Sequence, residues 1–272
     1  MAVAEKLTCL RDLIGELDTA VVAYSGGADS AFLADVAHEV LGDRVEAVTA
    51  VSPSLAPDER GAAGKLAADR GWRFREVVTN EADRPEYVRN EGDRCYHCKT
   101  ELFEVLAALF PDTPILVGTN VDDLGDHRPG AAAAREHDVR TPLLDAGLRK
   151  EEIRTLSRER GLATWDKPAS ACLASRIAYG VEVTPARLDR VGRAESFLRS
   201  LGLREVRVRD HGELARIEVP LGDVERLSTD PVRDRVAAFL RELGFSFVTL
   251  DMEGFRSGSM NAVLQIRRNG SG

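Results

Sequence analysis

Val3, Leu7, Leu10, Leu13, Ile14 and Leu17 recur at three- and four-residue intervals, the stripe of an amphipathic helix that ends near Asp18 and Thr19. A valine-rich run at 20–24 follows and predicts a buried strand. It is broken by Ser25-Gly26-Gly27, after which Asp29 and Ser30 open a helix carrying Ala31, Phe32, Leu33, Val36, Ala37 and Val40. Positions 45–51 and 73–78 read as further strands and 57–70 as a helix between them. The spacing then predicts a helix over 100–109 stopped by Pro111, a strand over 115–118 and a helix over 150–160. Strands that alternate with helices predict an α/β domain with a parallel sheet and helices on both faces.

Beyond Tyr179-Gly180 the pattern changes. A long amphipathic helix is expected over 185–201, strands over 205–209 and 215–219 around the turn Asp210-His211-Gly212, a helix over 224–243 and a strand over 245–250. The chain therefore divides into an α/β domain over 1–178 and a smaller α+β domain over 179–272.

Ser25-Gly26-Gly27-Ala28-Asp29-Ser30 lies between a buried strand and a helix. Glycines there allow close backbone approach, and the first helical N–H groups attract an anion, which makes this a polyphosphate site by geometry. It is neither a Walker A loop nor the dinucleotide fingerprint. The six residues resemble the signature of the PP-loop ATP pyrophosphatases, which bind ATP, adenylate a substrate and release pyrophosphate. A second cluster, Gly118-Thr119-Asn120-Val121-Asp122-Asp123 with Asp126 and Arg128 behind it, follows the strand at Ile115, where ligands of open parallel sheets gather. Gly118 and Asn120 join Ser25, Gly26, Gly27, Asp29 and Ser30 as candidate ATP-binding residues. Asp122, Asp123 and Asp126 are candidate Mg²⁺ ligands, with a helix-capping aspartate as the plainer alternative.

Cys95-Tyr96-His97-Cys98 is a C-x-x-C pair, and Cys172 stands apart in KPASACLASR. Three thiolates leave one position open on a [4Fe–4S] cluster; on zinc, His97 could close the site. Cys9, beside the first helical stripe, reads as packing. Lys167 and Arg176 flank Cys172, and cationic neighbours keep a thiolate anionic.

Composition narrows the classes. With 43% hydrophobic residues in 272 the chain is too apolar to be disordered, and four cysteines are too few for a disulfide scaffold. No apolar run reaches the ~18 residues of a membrane span, and a cytoplasmic protein is expected. The net charge of −8 disfavours a broad nucleic-acid or anionic-lipid surface. Yet residues 187–216 hold eight arginines against five acidic residues, a local excess suited to a small anion. Arg207 and Arg209, two apart on one strand, point to the same face.

The segments AYSGGADS, RCYHCK, GTNVDDLGDHRPG, KPASACLASRIAYG and VRVRDHGELARIEV together resemble the LarE family. These are ATP-dependent sulfur transferases that make the pyridinium bis(thiocarboxylate) mononucleotide of the nickel-pincer cofactor. The likeness runs from about residue 20 to about residue 220 and is most specific around Cys172 and in VRVRDHGELARIEV. It implies a PP-loop fold, ATP and Mg²⁺ as cofactors, and adenylation of a carboxylate of pyridinium-3,5-biscarboxylic acid mononucleotide. Sulfur would enter at Cys172, with Ser175 and Arg176 in the transfer loop. It also implies that Arg207 and Arg209 bind the substrate phosphate, with Arg128 and Glu218 as further substrate residues. Two versions of the chemistry exist in the family. In one, a single cysteine gives up its sulfur and becomes dehydroalanine; in the other, three cysteines hold a [4Fe–4S] cluster that presents sulfide. Cys95, Cys98 and Cys172 match the second and are expected to converge on the ATP loop. The resemblance further suggests a homo-oligomer and hand-over to a nickel-inserting protein.

Two other readings remain at this stage. A tRNA thiolase would need a basic stripe or an RNA-binding appendage, and a non-catalytic module would bind nucleotide and structural zinc without releasing pyrophosphate.

Overall fold

A computed structural model describes residues 1–125, 129–168, 172–256 and 259–261. The chain forms two compact units, Met1–Glu81 with Cys95–Ala171, and Ala82–Arg94 with Cys172–Gly272. The expected division at 178 thus differs from the one observed: Cys172 opens the second unit, and a short insert from the middle of the first half belongs there too.

The first unit is built on β1 (Ala20–Ala23), β2 (Val45–Val51), β3 (Phe74–Val78) and β4 (Ile115–Leu116), all parallel in the order β3-β2-β1-β4. Side-chain alternation sends Ala20, Val22, Ala47 and Leu116 to one face, against Leu10, Ile14, Phe32, Leu33 and Ile153. It sends Val21, Val48, Val77 and Ile115 to the other, against Leu102, Phe103, Leu106 and Ala133. The central strands β1 and β4, covered on both faces, are apolar throughout, whereas the edge strand β3 carries exposed Arg75 and Glu76. Each buried Leu or Phe contributes about 1.5–3 kcal/mol. The chain winds outward through β1, β2 and β3 and then returns to the far side of β1 as β4. The sheet order therefore reverses between β1 and β4, and a crevice opens at their carboxyl ends.

The second unit holds β5 (Arg207–Asp210), β6 (Leu214–Glu218) and β7 (Phe247–Leu250) in that order, antiparallel between β5 and β6 and parallel between β6 and β7. Helix Pro185–Ser200 starts where Thr184 Oγ1 accepts the Arg187 N–H and Pro185 fills the first turn. It packs Ala194 and Leu198 on Val206, Val208, Ala215 and Ile217. The single helix expected over 224–243 is two, Leu221–Ser228 and Val232–Glu242, because Pro231 has no N–H to continue the ladder.

Two other boundaries move. The helix expected from Thr100 begins at Arg94 and takes in the C-x-x-C, and β4 ends at Leu116 rather than Gly118. The insert at 82–94 is fixed by Asn90, wholly buried and left-handed at φ 57°. Its Nδ2 donates to the carbonyls of Ile177, Ala178 and Val181 at 3.3, 2.9 and 3.0 Å. None of the described helices is long and apolar enough to cross a membrane.

Candidate functional site

The carboxyl end of β1 turns sharply at Gly26, whose φ of +73° is the left-handed region open to glycine. Gly27 then caps helix Ala28–Leu41. Ser30 ties the turn: its Oγ accepts the Ser25 N–H at 3.2 Å, donates to the Gly27 carbonyl at 3.2 Å and lies 3.1 Å from Ser25 Oγ. Ser25 is exposed and Asp29 half-buried at the mouth of the turn. Backbone N–H groups at a helix start, held open by a serine clasp, form a ready anion site.

β4 closes the crevice from the other side. A side chain at Gly118 would put Cβ 2.8 Å from the Ser30 nitrogen and 3.1 Å from its Cα, so only glycine lets β4 run past the start of this helix. Asn120 is fully buried and its Nδ2 has no hydrogen-bond partner among the described residues, a donor left over at the carboxyl end of β4. The aspartates behind it are committed. Asp122 accepts from Arg149 Nη1 at 2.9 Å and from the Lys150 N–H at 2.8 Å, at the start of helix Lys150–Glu159. Those partners, the Lys150 N–H foremost, hold its carboxyl below the usual range. Asp123 accepts the Asn120 N–H at 3.2 Å and pairs with Lys150 Nζ at 2.9 Å. As placed, these two do not present a vacant carboxylate pair to Mg²⁺. Asp126 and Arg128 lie outside the described residues.

Cys95 and Cys98 occupy the first turn of helix Arg94–Leu109, three residues apart and therefore on one face, the first exposed and the second half-buried. Cys172 is exposed at the start of the 3₁₀ turn Leu173–Arg176. Among the described residues no group of three or more His, Cys, Asp or Glu side chains could hold a metal ion. The donor chemistry of three thiolates fits an iron–sulfur cluster, and within the first unit Cys95 and Cys98 share one helical face.

In the second unit Arg176 is 2% exposed and Glu195 0%. Their forked pair, Nε to Oε1 at 2.8 Å and Nη2 to Oε2 at 3.2 Å, satisfies both groups in a place where either charge alone would be costly. Arg176 Nη1 donates to the Cys172 carbonyl at 3.2 Å and to Ser175 Oγ at 3.0 Å, and Ser175 Oγ donates to the same carbonyl at 2.8 Å. The cysteine turn is thus pinned by the residues that follow it. Arg209 donates from Nε and Nη2 to Glu218 Oε2 at 3.0 and 2.7 Å, and from Nη1 to the Ser175 carbonyl at 3.3 Å. Arg207 lies over the Phe255 ring at 5.3 Å. Burial, with Arg176 and Arg209 close by, pushes its guanidinium down to about 10. A buried cationic cluster of this kind gains from an anion. The expected residues Ser175, Arg176, Arg209 and Glu218 therefore belong to one hydrogen-bonded group, whereas Arg207 donates to the Val206 carbonyl at 2.9 Å.

Glu195 and the contact made by Lys167 add to the expected site. Glu195 was visible: in the core stripe Leu188, Val191, Glu195, Leu198 it is the one charged residue on a buried helical face. Lys167, expected beside the Cys172 thiolate, instead donates from Nζ to the Gly26 carbonyl at 2.8 Å and to Glu59 Oε2 at 2.6 Å. No local pattern signals a contact across 141 residues of chain.

No protein-family model matches the chain. It is 46% identical over 262 residues to an uncharacterized protein of Synechocystis sp., covering 95% of this chain and 98% of that one. A component of the glutamine-hydrolyzing GMP synthase of Thermoplasma acidophilum is 30% identical over 197 residues, 64% of this chain and 61% of that protein. The pyridinium-3,5-bisthiocarboxylic acid mononucleotide synthase of Lactiplantibacillus plantarum is 37% identical over 268 residues, 96% of this chain and 95% of that protein. With that near-complete coverage, and with the fold and motifs in the expected places, the chain belongs to the pyridinium-3,5-bisthiocarboxylic acid mononucleotide synthase, or LarE, family.

Proposed function

We propose that the chain is an ATP-dependent sulfur transferase that converts a carboxylate of pyridinium-3,5-biscarboxylic acid mononucleotide into a thiocarboxylate. The near full-length similarity to the Lactiplantibacillus plantarum synthase carries this reading. ATP, with Mg²⁺ as the counter-ion of its phosphates, occupies the loop Ser25–Ser30 with Gly118 and Asn120 at the opposite wall. A substrate carboxylate oxygen attacks the α-phosphorus, the bond to the bridging oxygen breaks, and pyrophosphate leaves. The resulting acyl adenylate is electrophilic at carbon; a sulfur nucleophile adds there and AMP departs. Arg207 and Arg209 hold the substrate's phosphate, guanidinium to phosphate oxygen. Glu218 orients Arg209, and Ser175 and Arg176 hold the turn that presents Cys172.

For the sulfur source, Cys95, Cys98 and Cys172 would hold a [4Fe–4S] cluster, which when bound supplies sulfide. A second reading rests on Cys172, which stands exposed at the start of its turn. In it, Cys172 Sγ forms a thioester, and loss of its Cα proton with cleavage of Cβ–S leaves dehydroalanine and the thiocarboxylate. Anaerobically purified protein incubated with ATP, Mg²⁺ and the biscarboxylate mononucleotide tests the function: pyrophosphate and thiocarboxylate are expected, and absence of both refutes it. Iron content that falls in C95A supports the cluster; intact-protein mass reduced by hydrogen sulfide supports the spent cysteine.

A further inference from the structure

The phosphate loop carries a cation that neither its signature nor the family resemblance assigns to it. Lys167 Nζ lies 2.8 Å from the Gly26 carbonyl, inside the loop, with Glu59 Oε2 at 2.6 Å as its counter-charge. The backbone that delivers it is itself fastened: Arg154 Nη1 donates to the Trp165 carbonyl at 2.9 Å and Nη2 to the Lys167 carbonyl at 2.7 Å. Lysine and glutamate side chains are both half-buried, at 20% and 26% exposure. Glu59 is close enough to Tyr24 that, after burial, it is the main influence raising that phenol. A carboxylate fixed beside an anion site opposes binding unless something neutralises it or draws its cation away.

We propose that Lys167 is a nucleotide-contacting residue, held over the loop by Glu59 and Gly26 and passed to a phosphate oxygen of ATP when the loop fills. An ammonium carries three N–H donors, and the two protein partners leave one for the incoming phosphate before either is given up. Glu59 is then the residue that sets how readily the lysine is released. This inference rests on the ATP-binding part of the proposed function.

Titration calorimetry with ATP and Mg²⁺ on the full chain decides it, with thermal melts to verify folding of each variant. K167M is expected to weaken ATP binding about tenfold, the worth of one charge-assisted contact. E59Q is expected to tighten it, since the lysine is freed and a negative charge removed. The double variant K167M/E59Q is expected to bind ATP about tenfold more weakly than E59Q. Should the double variant match E59Q, Lys167 only neutralises Glu59 and the inference falls; it falls equally if E59Q weakens binding as K167M does. Wild-type protein that fails to bind ATP overturns the proposed function together with this inference, whereas wild-type binding that K167M leaves unchanged overturns the inference alone.

Discussion

Under the proposed function the two units would receive anions by different means. In the first, the phosphate loop is main chain: a left-handed glycine, a helix start, and a serine that clasps a turn within six residues of itself. In the second, the group proposed to hold the substrate's phosphate is made of side chains from separate segments, with Arg176 and Ser175 on the cysteine turn, Arg207 and Arg209 on β5, Glu218 on β6 and Glu195 on helix Pro185–Ser200. A main-chain site costs the ligand-free fold little, because its N–H groups are the unpaired donors that any helix start already has. A side-chain site places fixed charges in the interior and needs carboxylates to hold them. The first should therefore be sensitive to added volume and the second to lost charge.

The sharpest break is expected at Glu195. E195Q leaves the Arg176 guanidinium buried without its counter-charge, and the midpoint of urea unfolding should report a loss of about 3–5 kcal/mol. Gly118 tests the loop in the opposite sense: the extra methyl of G118A meets the Ser30 backbone, costs about 1–3 kcal/mol and removes ATP binding measured by calorimetry. A smaller effect is expected at His211, whose burial, with Arg216 and Arg209 nearby and Asp210 and Glu218 opposing them, lowers its affinity for a proton. The unfolded chain takes up that proton near pH 6.5 and the folded chain only at lower pH. The unfolded state thus binds more protons in that window, and stability falls as pH drops below about 6.5. H211Q should flatten this part of the stability–pH curve. The smallest change in the ligand-free protein is expected for R207Q, which should leave stability unlowered or slightly raised, since burial beside Arg176 and Arg209 makes this charge unfavourable in the fold. The same variant should raise the KM for the mononucleotide and leave that for ATP unchanged.

This contrast also governs what the sequence discloses. The central strands β1 and β4 and the flanking helices were legible because burial on both faces leaves a continuous apolar run and burial on one face leaves a stripe, while β3 at the sheet edge mixes charged and apolar positions. The phosphate loop was legible because its geometry is local and needs glycine at fixed places. Arg207 and Arg209 could be placed on one face from their spacing alone, but that Arg209 binds Glu218 depends on the pairing of β5 with β6. The break at Pro231 was readable and passed over in favour of the amphipathic stripe on either side. The early start of the C-x-x-C helix was not readable, because Cys95-Tyr96-His97-Cys98 carries no strong helical signal. The membership of 82–94 in the second unit rests on the three carbonyls that Asn90 gathers, and no pattern in the insert itself announces them.

If activation belongs to the phosphate loop and sulfur transfer to Cys172, one substitution separates them. C172A, incubated without oxygen with ATP, Mg²⁺ and pyridinium-3,5-biscarboxylic acid mononucleotide, should release pyrophosphate and form no thiocarboxylate by mass spectrometry. Thiocarboxylate formed by C172A at the wild-type level would contradict the account.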